Sequence, residues 1–259
     1  MTAALRRWNI AAGNFFFRRR NALFPVLFIA AVLLGRPRIM INPQVDRLLI
    51  WIGLAVALLG ESVRLFTIGF EYIERGGKEG KIHASRLVQG GIYSLTRNPM
   101  YLGNMLIAIG ITMVVGAPLV YLIVLPFFLF VYQALITAEE AYLRPRFGAD
   151  YEKYCRRVPV LFPALHQAPK ALQGLHYNWR KAIRKDLSTL AGLFCGLSVL
   201  PVVRSYFLHG FAQTKDDLLP ALLLLAGILA LYGLLVYLKK HRRLLYTPAD
   251  FPEAFQKRA

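Results

Sequence analysis

Residues 98–138 read NPMYLGNMLIAIGITMVVGAPLVYLIVLPFFLFVYQALITA, a run of 41 without one charged side chain. A helix crosses the hydrocarbon core of a bilayer in about 20 apolar residues, so this run is two crossings long. Gly116-Ala117-Pro118 in its middle is a turn signal. The reading is a tight helical hairpin that enters and leaves the membrane on one side. Further uncharged or nearly uncharged runs occupy residues 21–35, 48–70, 187–203 and 218–238. Together they predict an all-α, polytopic membrane protein with about six transmembrane helices. The run at 21–35 is short for a core about 30 Å thick. It recruits Asn14-Phe15-Phe16-Phe17 at the interface, with the neighbouring arginines snorkelling to headgroups. Residues 1–20 then form a basic interfacial arm, residues 21–163 the membrane core, and residues 164–259 a C-terminal extension with two additional helices. The second part of the chain does not repeat the first.

The charges fit this layout. The 259-residue chain has 32 Lys+Arg against 14 Asp+Glu, a formal net charge of +18, yet 56% of its residues are hydrophobic. That hydrophobicity excludes a disordered basic chain. With six spans, 26 basic residues fall in the connectors of one side and 5 in those of the other, which makes the rich side cytoplasmic. Both termini are then cytoplasmic, in what would be a cell inner membrane. The excess charge is expected to serve topology and contact with anionic lipids, not nucleic acid; neither a recognition-helix pattern nor an aromatic-studded basic strand is present. Cys155 and Cys195 cannot build a disulfide framework, and neither has a partner at metal-ligand spacing. No cleavable signal is expected, because no small-residue cleavage site follows Arg18-Arg19-Arg20.

Two cytoplasmic connectors are too rich to be simple links. The first ends in Arg97-Asn98-Pro99-Met100-Tyr101; Asn98 can cap a helix through its side-chain oxygen, and Pro99 suits the first helical position. The Gly90-Gly91 pair is a weak signal for a phosphate loop, since no strand precedes it. The second connector opens with Glu139-Glu140, two acids at a helix C-terminus where the dipole disfavours them. Their cation is either an arginine of the chain (Arg97, Arg144 or Arg146) or a ligand. The proposed hairpin brings the Arg97–Tyr101 corner close to both glutamates. Within the second span, Glu61 and Arg64 lie three residues apart on one helix face and can pair. They are either a structural ion pair or a substrate contact.

Taken in order, Leu87-Val88, Gly91-Ile92-Tyr93, Arg97-Asn98-Pro99-Met100-Tyr101-Leu102-Gly103, Glu139-Glu140 and Phe147-Gly148-Ala149-Asp150-Tyr151-Glu152-Lys153-Tyr154 resemble the isoprenylcysteine carboxyl methyltransferase family, related to the phospholipid N-methyltransferases. The resemblance is strong from about residue 85 to residue 163 and does not reach the last two spans. It implies a membrane-embedded enzyme that uses S-adenosylmethionine and receives a lipophilic substrate from the bilayer. Carried over by position, the cofactor contacts are Ser85, Arg86, Leu87, Val88, Tyr93, Asn98, Pro99, Met100, Tyr101 and Glu139. The physical chemistry is compatible: Glu139 can hold the cofactor's amino group, the helix start at Asn98-Pro99 its carboxylate, and tyrosine faces can stabilise a sulfonium. Arg97 and Glu140 are the catalytic candidates, Glu61 and Arg64 the substrate candidates, and no metal is expected.

Two positions depart from the family pattern. Asn98 stands where the family usually has His, which removes a group that titrates near neutral pH. Leu135 stands where the prenylcysteine enzymes place an arginine for the substrate carboxylate. The expected acceptor is therefore a lipid or lipophilic small molecule, with the amine headgroup of a phospholipid as the alternative. Rival readings are a non-catalytic binding protein on the same fold, a membrane reductase that would bind NADPH, and a lipid transporter. Oligomeric state is not encoded in any feature of the chain.

Overall fold

The computed structural model of the protein describes residues 3–39, 42–70 and 82–241. Every regular element among them is helical: α1 (Ala3–Gly35), α2 (Pro43–Phe70), α3 (Pro99–Val115), α4 (Leu125–Arg157), the short α5 (Ala168–Leu172), α6 (Trp179–His209) and α7 (Phe211–Lys240). The expected hairpin is formed by α3 and α4. Gly116 ends α3 with φ 61°, a left-handed cap that suits a residue without a Cβ. A π-type turn at Val120–Val124 then leads into α4.

Four helices are long and apolar enough to cross a membrane: α2, α4 with its π-type turn, α6 and α7. Helix α3 is apolar but shorter. Helix α1 differs from its sequence reading. The arm and the short span expected around residue 20 form one continuous helix of 33 residues. No residue between them breaks a helix. Gly13 instead provides contact, since a Cβ there would collide with the Ala134 carbonyl on α4. Helix α4 also runs past the expected end at residue 138, to Arg157, interrupted at Gly148.

The tightest seam is between α2 and α3, which run antiparallel. A Cβ on Gly53 would lie 2.6 Å from the Gly110 carbonyl oxygen, and one on Gly60 2.6 Å from that of Gly103. Small residues one and two turns apart let the backbones touch, the usual device where no hydrophobic effect drives helices together. Phenylalanines join α1 to α4, with Phe24 stacked on Phe128 at 5.0 Å and Phe16 edge-on to Phe127 at 5.8 Å.

Two buried ion pairs fix α6 against α2. Asp46 and Arg64 are 18 residues apart on α2, and Asp186 and Arg204 are 18 apart on α6. Eighteen residues are five full turns, so each pair of groups shares one helix face. Arg64 bonds Asp186 at one end, and Arg204 bonds Asp46 at the other. The arrangement is reciprocal because the helices are antiparallel. Five turns rise about 27 Å, close to the hydrocarbon thickness. Arg204 also donates to the Val115 carbonyl at 2.8 Å, which ties the pair to the hairpin turn. At that same end Val32 of α1 packs with Val114, Val120 and Leu200.

Candidate functional site

The loop before α3 carries most of the predicted site. It makes a 3-10 turn at Gly91–Ser94, entered through Gly91 at φ 56°. Ser94 closes the turn by donating to the Gly91 carbonyl at 2.7 Å. Tyr154 donates to the Tyr93 carbonyl at 2.7 Å. That bond depends on the break in α4: Gly148 adopts φ 48° and ψ −126°, a conformation available almost only to glycine. Past it the chain turns so that buried Tyr151, Tyr154 and Val158 pack with Leu87, Leu143 and Phe147. Arg144 and Glu152 pair across the turn. The Phe147–Tyr154 block is thus a clasp over the loop.

Residues 95–98 are held from the other side by residues 159–164. The Arg97 N–H donates to the Pro159 carbonyl at 2.9 Å, the Ala164 N–H to Leu95 at 2.9 Å, and the Thr96 hydroxyl to Leu161 at 2.9 Å. Here one expectation is corrected. Asn98 sits at the N-cap of α3, yet its side chain caps nothing; its amide nitrogen donates to the Val160 carbonyl at 2.9 Å. The competing acceptor comes from a segment 62 residues away. Pro99 does occupy the first turn. The first-turn N–H groups of α3, which have no acceptor within the helix, are consequently not capped by Asn98.

The hairpin brings the two connectors together as expected. The Tyr101 hydroxyl donates to Glu139 at 2.5 Å. Arg97 pairs with Glu140 at 3.2 Å and also reaches the Cys155 sulfur. So the cation of Glu140 is Arg97, one of the arginines the sequence offered.

Tyr101, Glu139, Arg97 and Glu140 line one cavity of about 1320 Å³. Its walls include every position carried over for the cofactor: Ser85, Arg86, Leu87 and Val88, then Tyr93, Asn98, Pro99, Met100 and Tyr101, with Glu139 from α4. Arg97, Glu140 and Arg64 line it as well, whereas Glu61 does not. Glu61 lies 3.6 Å from Arg64, but the guanidinium is bonded to Asp186, to Asn104 and, at 2.9 Å, to the Thr189 hydroxyl. Arg64 is 4% exposed and Asp186 1%. Leu135, the second departure, is fully buried and lines the same cavity.

Several lining residues were missed from sequence. Arg18 and Arg20 of the supposed interfacial arm face the cavity; the continuity of α1 was the missing information. Asn104, a polar residue inside an uncharged run, was a legible signal. Ser188, Thr189, Gly192 and Gly196 of α6 carry none. Among the described residues no three His, Cys, Asp or Glu side chains gather as a metal site.

A bundle of apolar helices around a large cavity defines an integral membrane protein. The phospholipid methyltransferase family matches residues 48–150. A protein-S-isoprenylcysteine O-methyltransferase of Schizosaccharomyces pombe is 38% identical over 91 residues, 34% of this chain and 36% of that protein. The cobalt-zinc-cadmium resistance protein CzcN of Cupriavidus metallidurans is 30% identical over 158 residues, 60% of this chain and 68% of that protein. A probable protein-S-isoprenylcysteine O-methyltransferase of Oryza sativa is 29% identical over 116 residues, 42% and 58% of the two chains. The chain therefore spans little more than a third of the yeast relative and under two thirds of the rice one. No solved structure matches it. The chain belongs to the isoprenylcysteine carboxyl methyltransferase-like family, related to the phospholipid methyltransferases.

Proposed function

We propose that the protein is an S-adenosylmethionine-dependent methyltransferase acting on a lipid or lipophilic small molecule at the cytoplasmic surface of a cell inner membrane. The observation that carries this reading is the convergence of all ten carried-over positions on one cavity. The residues suit the cofactor. Glu139 offers a carboxylate for its ammonium, the uncapped first turn of α3 offers N–H groups for its carboxylate, and Tyr93 and Tyr101 offer ring faces for a sulfonium. When bound, the cofactor supplies an electrophilic methyl group. The chain's part is positioning, which accounts for most of the barrier reduction in a direct displacement. The clasp of Tyr151 and Tyr154 holds the loop, and Tyr101 orients Glu139 by its hydrogen bond. Arg97 fixes Glu140 at the cavity wall, where the carboxylate can take a proton from an amine or hydroxyl acceptor.

Neither of the two positions that the sequence singled out for a substrate carboxylate offers it a partner. Leu135 cannot pair with it, and Arg64 is engaged by Asp186. An unpaired carboxylate in a dry pocket is costly. An amine or hydroxyl acceptor avoids that cost, and the match to the phospholipid methyltransferase family favours an amine headgroup. Six crossings, with both termini cytoplasmic and anionic lipids at the basic connectors, complete the proposal.

Calorimetric titration of the detergent-solubilised protein with S-adenosylhomocysteine tests it. Binding should weaken about tenfold or more in Glu139→Gln, the loss of one charge-assisted hydrogen bond. Wild-type protein that binds NADPH and not S-adenosylhomocysteine would replace this reading with a reductase.

A further inference from the structure

We propose that α6 forms one wall of a slot for a single long hydrocarbon chain, and that Gly192 and Gly196 set its bore. The inference rests on the methyltransferase reading, to which it adds how the lipophilic substrate is held. The cavity of about 1320 Å³ exceeds the roughly 300–1,000 Å³ of a usual ligand pocket, so it has room beside the cofactor. Its lining is divided. The loop end carries Arg86, Asn98 and Glu139, while the deeper part is made by Phe24, Phe28 and Val32 of α1 and Ile107 and Ile111 of α3, reaching the hairpin turn at Val115 and Val120. Facing them on α6 are Ser188, Gly192 and Gly196, spaced one turn apart.

A glycine within a helix costs about 1 kcal/mol against alanine, so its use calls for a reason. On α2 and α3 the reason is backbone contact. At Gly192 and Gly196 an added Cβ would meet nothing within 4 Å, and both residues line the cavity. The glycines of α7, Gly227 and Gly233, are equally open but do not line it.

The wall is also fixed in place. The Arg64–Asp186 pair holds α6 where the polar end of the cavity gives way to the apolar part, with Thr189 bonded to the same guanidinium. Arg204–Asp46 holds the opposite end. From Thr189 to Leu200, where α6 meets Val32 of α1, the helix rises about 16 Å. That length is mostly apolar, and the cavity reaches Val32 and Val120 of the cluster that also holds Val114 and Leu200. A headgroup beside Glu140 with its chain lying along Gly192 and Gly196 fills both parts.

The test uses the full chain in liposomes with a phosphatidylethanolamine whose palmitoyl chain carries a photoactivatable group. Cross-linked peptides are mapped by mass spectrometry, and S-adenosylhomocysteine affinity is measured in parallel. Label should fall on residues 188–200 of α6 and 24–32 of α1 and be displaced by unlabelled dipalmitoyl lipid. The double variant Gly192→Leu/Gly196→Leu should lose about tenfold of this labelling through overpacking of the slot, with cofactor affinity retained. Retained affinity establishes that the variant folds. If it does not fold, Gly192→Ala/Gly196→Ala, which favours the helix, should still reduce the labelling. Undiminished labelling in the folded variant, or label confined to α7, overturns the slot. Labelling of the slot by a wild-type protein that binds no S-adenosylhomocysteine would sink the methyltransferase reading and leave a lipid site.

Discussion

Arg64 shows how much a single residue's role depends on partners far along the chain. From sequence it could pair only with Glu61. In the structure Asp186, 122 residues away, takes the guanidinium, and the choice between structural pair and substrate contact moves towards the former. Removing one partner of a buried pair costs roughly 3–5 kcal/mol, whereas replacing both with apolar residues is often neutral. Asp186→Ala should therefore lower the melting temperature in detergent, by about 3 kcal/mol of stability because Glu61 and Asn104 stay near the guanidinium. Arg64→Met/Asp186→Leu should recover most of the loss, and a double variant no more stable than the single one would show that the pair itself is indispensable. Asn98 makes the same point: its cap role was a local inference, and a carbonyl from Val160 redirected the amide. Glu139 and Tyr101 were legible because a hairpin of known length forces their neighbourhood.

At the scale of elements, the hairpin, α2, α6 and α7 were readable from uncharged runs, since run length and turn chemistry are local properties. Helix α1 was not, because arginines within a helix look like a boundary until α4 is seen packing along it. The break at Gly148 lay inside the motif Phe147-Gly148-Ala149-Asp150-Tyr151, but only the fold shows that it closes a clasp. Gly148→Ala should cost about 1–3 kcal/mol of backbone strain and weaken S-adenosylhomocysteine binding through the displaced Tyr154; unchanged affinity would mean the clasp does not hold the loop. The glycine seam gives a sharper contrast. Gly60→Leu must separate α2 from α3 and should destabilise by about 3 kcal/mol or more. Gly192→Leu meets open space and should leave the melting temperature within a few degrees. Equal losses in thermal unfolding would contradict the packing described.

For the whole molecule, the distribution of charge and the positions of the ion pairs agree. The reciprocal pairs Arg64–Asp186 and Arg204–Asp46 sit about one hydrocarbon thickness apart, and of the described basic residues Arg18, Arg20, Arg86 and Arg97 line the cavity. Reporters fused at residue 1 and after residue 259 should both register as cytoplasmic; an external signal at the C-terminus would remove one of α6 and α7 from the membrane. The family motif made the polar end of the cavity legible, because its residues recur in order. The contribution of α6 was hidden, because it lies beyond residues 48–150, the part that matches the family. The most direct measurement supplies purified protein with isotope-labelled S-adenosylmethionine and a total membrane lipid extract, and follows which lipids gain the label by mass spectrometry. The label is predicted to appear on a nitrogen- or hydroxyl-bearing membrane lipid, to vanish with Glu139→Gln, and to be weak on farnesylcysteine added as competitor. Efficient labelling of the farnesylcysteine carboxylate would contradict the acceptor assigned here, and no labelled lipid from a protein that binds the cofactor would contradict the account of an enzyme.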